Sequence, residues 1–142
     1  MSIEPYSPRH IAETQLETAL RLYFEGADYF SVVTLAGAAD EILGTLLTAR
    51  GGLSALASLT KATVAIQETL SQEPLSEKEV ADRANLARNV LKHVRGAGEK
   101  DQHLDIKEEA KDMLTRAIAN YWELYQAQSS AMKRFEDGQR AA

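Results

Sequence analysis

The chain has 142 residues, 44% of them hydrophobic, with only 3 prolines and 8 glycines, which suits one domain that buries about two thirds of its unfolded surface. It has no cysteine, which excludes disulfides and zinc–thiolate sites and fits a reducing, cytoplasmic setting. A formal net charge of -5 argues against tight nonspecific binding to duplex nucleic acid, whose affinity comes from Lys and Arg neutralising phosphates, but leaves room for one RNA strand on a local basic patch. No basic N-terminal region leads into an apolar run, and no stretch of about 18 apolar residues occurs, so neither a signal peptide nor a membrane span is expected.

Ser7 before Pro8 predicts a helix start: the serine oxygen can cap free amides, and proline occupies the position where a missing amide costs nothing. This first helix runs to about Gly26, with an apolar stripe of Ile11, Leu16, Ala19, Leu20, Tyr23 and Phe24. A second runs from about Ala27 to Arg50 and is the most apolar segment, so it belongs at the centre. Within it Ala36-Gly37-Ala38-Ala39 removes side-chain bulk for a whole turn, which predicts a close approach by another helix. Gly51-Gly52 ends it. Leu53 to about Leu70 has a weaker apolar pattern that fits one short helix or two fragments. Pro74 breaks that region, and Ser76 with Glu79 forms a capping box that opens a helix from about Glu77 to Val94. Asp105 with Glu108 has the same pattern before a final helical run from Ile106 to about Phe135. About 30 residues at about 1.5 Å each are longer than a small domain is wide, so this run either breaks near Gln128-Ser129-Ser130 or ends on a partner. With no strand alternation or repeat to compete, the fold expected is an all-α bundle of four or five helices, with flexible ends at residues 1–6 and 138–142.

Candidate chemistry concentrates in Arg88-Asn89-Val90-Leu91-Lys92-His93, ahead of the glycine-broken segment Gly96-Ala97-Gly98. Arginine holds a phosphate through two parallel charge-assisted bonds, and histidine exchanges a proton near neutral pH. Residues five apart on a helix point about 140° away from each other, so Arg88 and His93 do not share a face, whereas Asn89 and His93, four apart, do. Local charge runs against the acidic average, with Arg83, Arg88, Lys92 and Arg95 within four turns. The same residues also suit an inert helix end, whose dipole favours Lys, Arg and His.

Arg, a polar residue, three residues and His in a small helical chain resemble the signature of the HEPN superfamily, many of whose members are ribonucleases or nucleotide-binding modules. The resemblance covers this motif and the helical architecture. It implies an up-and-down bundle and a homodimer with the site between two protomers. It also implies metal-independent RNA chemistry with no cofactor, in which His93 is the general acid or base and Arg88 stabilises the phosphate. Asn89 would then orient His93, and Lys92 and Arg95 would attract the backbone of a single-stranded RNA or a nucleotide. A toxin-like member would bring an antitoxin-like protein partner. The other reading is a non-catalytic helical module for binding or dimerisation, or a nucleotide-binding accessory protein.

Asp40 and Glu41 interrupt the most apolar helix, where carboxylates are seldom buried without partners, so they either orient Arg88 in a polar site or mark a solvated edge. No Glu-x-x-His pair is present, and His103 between Asp101 and Asp105 fits a solvated loop, so no metal site is expected. The glycines near residue 97 match no phosphate-loop pattern. Tyr121, Trp122 and Tyr125 form an aromatic band with Leu114, Ala117, Ile118 and Leu124, expected to be core, with Asn120 and Tyr121 the positions that would face a cleft.

Overall fold

The computed structural model describes residues 1–70, 73, 75–93 and 101–142. Pro74, Arg95 and the Gly96-Ala97-Gly98 segment lie outside the described residues. Seven helices make up all the regular secondary structure of the described residues.

Helix α1 (Pro8–Glu25) begins as its sequence predicts: the Ser7 side chain accepts from the His10 amide at 3.1 Å, and Pro8 fills the first helical position. Gly26 ends it with φ 71°, the left-handed conformation that glycine adopts without a Cβ penalty. Helix α2 (Tyr29–Ala49) starts on Asp28, whose carboxylate accepts from the Ser31 amide at 3.0 Å. By length and composition α2 could cross a membrane. Its buried residues, among them Val32, Val33, Ala36, Ala39 and Leu43, instead pack between α1 and α6, the position of a core helix.

Helix α6 (Ile106–Tyr125) supplies the matching stripe of Ala110, Met113, Leu114, Ala117, Ile118 and Tyr121, spaced three and four apart so that one face meets α2. Leu16 and Leu20 from α1 close the third side. Each of these larger side chains contributes about 1.5–3 kcal/mol by leaving water, which makes the α1–α2–α6 core the main source of stability.

The final run is two helices. Gln126 takes the left-handed conformation (φ 48°, ψ 39°), and α7 (Ser130–Arg140) restarts on Ser129, whose hydroxyl also bonds Glu17 of α1. The turn brings Met132 and Phe135 back onto α1, where Phe135 meets the Tyr23 ring edge-on at 5.2 Å. Residues 138–140, expected as a flexible end, belong to this helix.

The remaining elements form a layer along one flank. Helix α3 (Ala55–Thr69) is one helix, with Thr60 alone buried and with Leu59, Ile66 and Leu70 exposed along one side. The expected helix from Glu77 to Val94 divides at Asn85 into α4 (Glu77–Ala84) and α5 (Leu86–Lys92). Its capping box is complete, with Ser76 and Glu79 each accepting from the other's backbone amide. At Asp105 only half of the expected box forms: Asp105 accepts from Glu108, whose own carboxylate pairs with Lys111. These divisions turn four or five long runs into seven segments.

Candidate functional site

One face of α2 carries Gly37, Asp40, Glu41, Gly44 and Thr48, spaced so that successive turns align. With the start of α3, the α4–α5 corner and Asn120 of α6, this face encloses an open cleft of about 510 Å³. Its lining includes Glu41, Thr45, Thr48, Ser54, Asn85 and Arg88, with Asp40 and Asn120 at the floor.

Arg88 reaches the cleft across Gly37. A Cβ built on Gly37 would lie 2.6 Å from Arg88 Cδ and 2.9 Å from Cγ, so the small-residue turn of α2 admits an arginine stem as well as a helix. The Arg88 side chain is 18% exposed, and its Nη1 lies 3.7 Å from Oε2 of the largely exposed Glu41. That separation is an ion pair beyond hydrogen-bond distance, and among the described residues no other partner is seen for the guanidinium donors.

Beneath it lies a second, buried charge pair. Asp40 Oδ2 accepts from Arg116 Nη2 at 2.6 Å, and Asp40 Oδ1 accepts from Asn120 Nδ2 at 3.0 Å. Asn120 Oδ1 accepts in turn from the Ala55 amide at 2.7 Å, tying the first turn of α3 to α6. Arg116 also donates to the Ala84 carbonyl at 3.1 Å and to Asn85 Oδ1 at 3.0 Å, while its Nε has no hydrogen-bond partner among the described residues. Burial pushes the Asp40 carboxyl up and the Arg116 guanidinium down, and their mutual attraction opposes both shifts. Arg88 adds favourable charge to Asp40 from the cleft side.

Arg88, Asp40 and Glu41 thus share one cleft, but Asp40 is engaged by Arg116 and Asn120, and it is Glu41 that faces Arg88. His93 lies elsewhere. It is exposed, ends α5 in an extended conformation (φ -131°, ψ 121°), and does not line the cleft. Its amide donates to the Asn89 carbonyl at 3.0 Å, but no side-chain hydrogen bond joins the two residues, so the expected orientation of His93 by Asn89 is not formed within the chain. Asn89 is half-buried, Lys92 is exposed, and Arg95 lies outside the described residues. Among the described residues no three His, Asp or Glu side chains gather into a metal-binding set.

The aromatic band divides. Tyr121 is buried, and its hydroxyl donates to Glu13 at 2.8 Å. Tyr125 is half-buried, with the Arg9 guanidinium 3.9 Å from its ring centroid. Trp122 is 42% exposed and so departs from the expected core role. Asn120, one of the two positions expected to face a cleft, does so.

Sequence reasoning missed Arg116 and Asn85. The available signal was a cation inside the apolar stripe of α6 paired with an anion inside the apolar α2, since two unmatched charges on core helices each require a partner. Arg88 presents a positive charge to the cleft, and His93 of the same chain does not line it. No family model matches the chain, and neither does any curated protein or solved structure.

Proposed function

We propose that this protein is a HEPN-like, metal-independent endoribonuclease, or a related RNA-processing or toxin-like protein, that acts in the cytoplasm as a homodimer. The observation that carries this reading is Arg88, a half-buried arginine whose stem is fixed against Gly37 and whose guanidinium faces an open cleft. A guanidinium held in this way stabilises charge on a phosphate with little reorganisation. His93, exposed at the end of α5, is free to meet the cleft of a second protomer. There it would take the proton from an RNA 2'-hydroxyl; the 2'-oxygen would bond to phosphorus as the bond to the 5'-oxygen breaks and that oxygen takes a proton from water, leaving a 2',3'-cyclic phosphate and a 5'-hydroxyl.

A second reading is favoured by a specific observation. His93 does not line the cleft of its own chain, and Arg88 already faces Glu41, the arrangement of a binding module without catalysis. A second copy of the chain or a nucleotide would then be the partner.

The test is incubation of wild-type, His93→Ala and Arg88→Ala protein with a labelled mixed RNA pool in EDTA. Wild-type cleavage leaving 2',3'-cyclic phosphate ends, reduced by about 10²–10⁴-fold in His93→Ala, is expected from loss of a general acid or base. Intact RNA with all three proteins would leave the binding module as the function.

A further inference from the structure

Arg116 places a full positive charge in the core, its side chain 8% exposed against 5% for Asp40. Its one guanidinium joins three places: Asp40 on α2 at 2.6 Å, the Ala84 carbonyl at the end of α4 at 3.1 Å, and the Asn85 side chain at 3.0 Å. Asn120, one turn further along α6, holds the other Asp40 oxygen at 3.0 Å, so the carboxylate has no freedom to turn away. The cation is therefore clamped on one side and clamps on the other.

What it clamps is the corner from which Arg88 is launched. Asn85 (φ -103°, ψ 4°) separates helices of 8 and 7 residues, each with a single buried residue, Val80 in α4 and Ala87 in α5. Helices this short, with so little buried surface, do not hold their own direction. Arg88 lies three residues beyond Asn85, and its stem must cross Gly37 with no room to spare. A small rotation of α5 would move that stem off the glycine.

We infer that Arg116, with Asp40 as its counter-ion, is a positioning residue for Arg88: by holding Ala84 and Asn85 at the α4–α5 corner, it sets the direction in which the α5 arginine enters the cleft. A role in stability alone makes a different prediction, because an apolar pair of similar size often replaces a buried ion pair without loss of stability.

The experiment compares wild type with the double variant Asp40→Leu/Arg116→Met. Three readouts are taken: thermal unfolding, the Arg88 Nε–Hε NMR signal assigned by its loss in Arg88→Lys, and titration with inorganic phosphate. The expected double variant unfolds cooperatively near the wild-type temperature, but its Arg88 signal moves to the position of free arginine. Phosphate affinity falls roughly tenfold, the equivalent of one charge-assisted hydrogen bond. A folded double variant that keeps the wild-type Arg88 signal overturns the inference. If the double variant does not fold, Arg116→Lys decides: it keeps a counter-charge for Asp40 but lacks the fork that also reaches Ala84 and Asn85, and an unchanged Arg88 signal there overturns the inference equally. The affinity arm rests on Arg88 being a phosphate site; wild type that binds no phosphate removes that reading, while the Arg88 signal still judges the clasp.

Discussion

Gly37 and Arg88 show how one missing methyl group positions a functional side chain. Replacing glycine by alanine within a helix ordinarily gains about 1 kcal/mol, whereas forcing an atom into occupied space costs about 1–3 kcal/mol. At Gly37 that space is filled by Arg88 Cγ and Cδ, so Gly37→Ala is expected to lower stability by up to about 2 kcal/mol. In an Arg88→Ala background the same change meets no stem and is expected to raise stability. Urea unfolding of the four proteins of this cycle measures the difference, and an identical effect of Gly37→Ala in both backgrounds would show that the two residues do not compete for space. The sequence reading located the small-residue turn and the arginine separately; their contact depends on how α5 lies on α2, which no local spacing encodes.

At the scale of elements, starts were more legible than interruptions. Ser7, Ser76 and Asp105 all cap the helices expected of them, because a capping side chain bonds backbone amides two or three residues away and so is written in adjacent positions. The break at Asn85 carries neither proline nor glycine, whereas the one between Tyr125 and Ser130 falls beside Gln128-Ser129-Ser130, where the sequence offered it as one of two outcomes. At Gln126 the chain turns because Met132 and Phe135 are buried against α1, and the strain of a left-handed glutamine is offset by that burial and by bonds from its amide at 2.8 Å and its side chain at 2.9 Å to the Trp122 carbonyl. A non-glycine residue in this conformation costs about 1–2 kcal/mol, and glycine costs about 0.4–1 kcal/mol through the greater freedom of the unfolded chain. Gln126→Gly is therefore expected to gain about 0.5 kcal/mol, a rise of roughly 2 °C in melting temperature. A fall in melting temperature would mean that the side-chain bond to Trp122 outweighs the strain.

At the scale of the whole molecule, the α1–α2–α6 core is complete within one chain, but the combination of Arg88 with His93 is not. Arg88 lies within α5 and His93 caps its end, and the two face different surroundings, one against α2 and the other in solvent. The nuclease reading therefore requires two protomers. Light scattering at micromolar concentration is expected to give twice the chain mass of 15.6 kDa, and a value equal to the chain mass would leave no way to bring His93 to the cleft.

The sequence by itself determined that this chain is helical, where most helices begin, and that α2 is central, because hydrogen bonding and apolar periodicity act within one or two turns. It also marked Asp40 and Glu41 as unusual and Arg88 as the anion-binding candidate. Only the tertiary structure decided that Asp40 belongs to Arg116, that Glu41 faces Arg88, and that the exposed His93 does not line their cleft. The residues that meet in the buried pair are 76 positions apart. Their pairing follows from the packing of α2 against α6, where a charge removed from water must find whichever opposite charge the neighbouring helix presents.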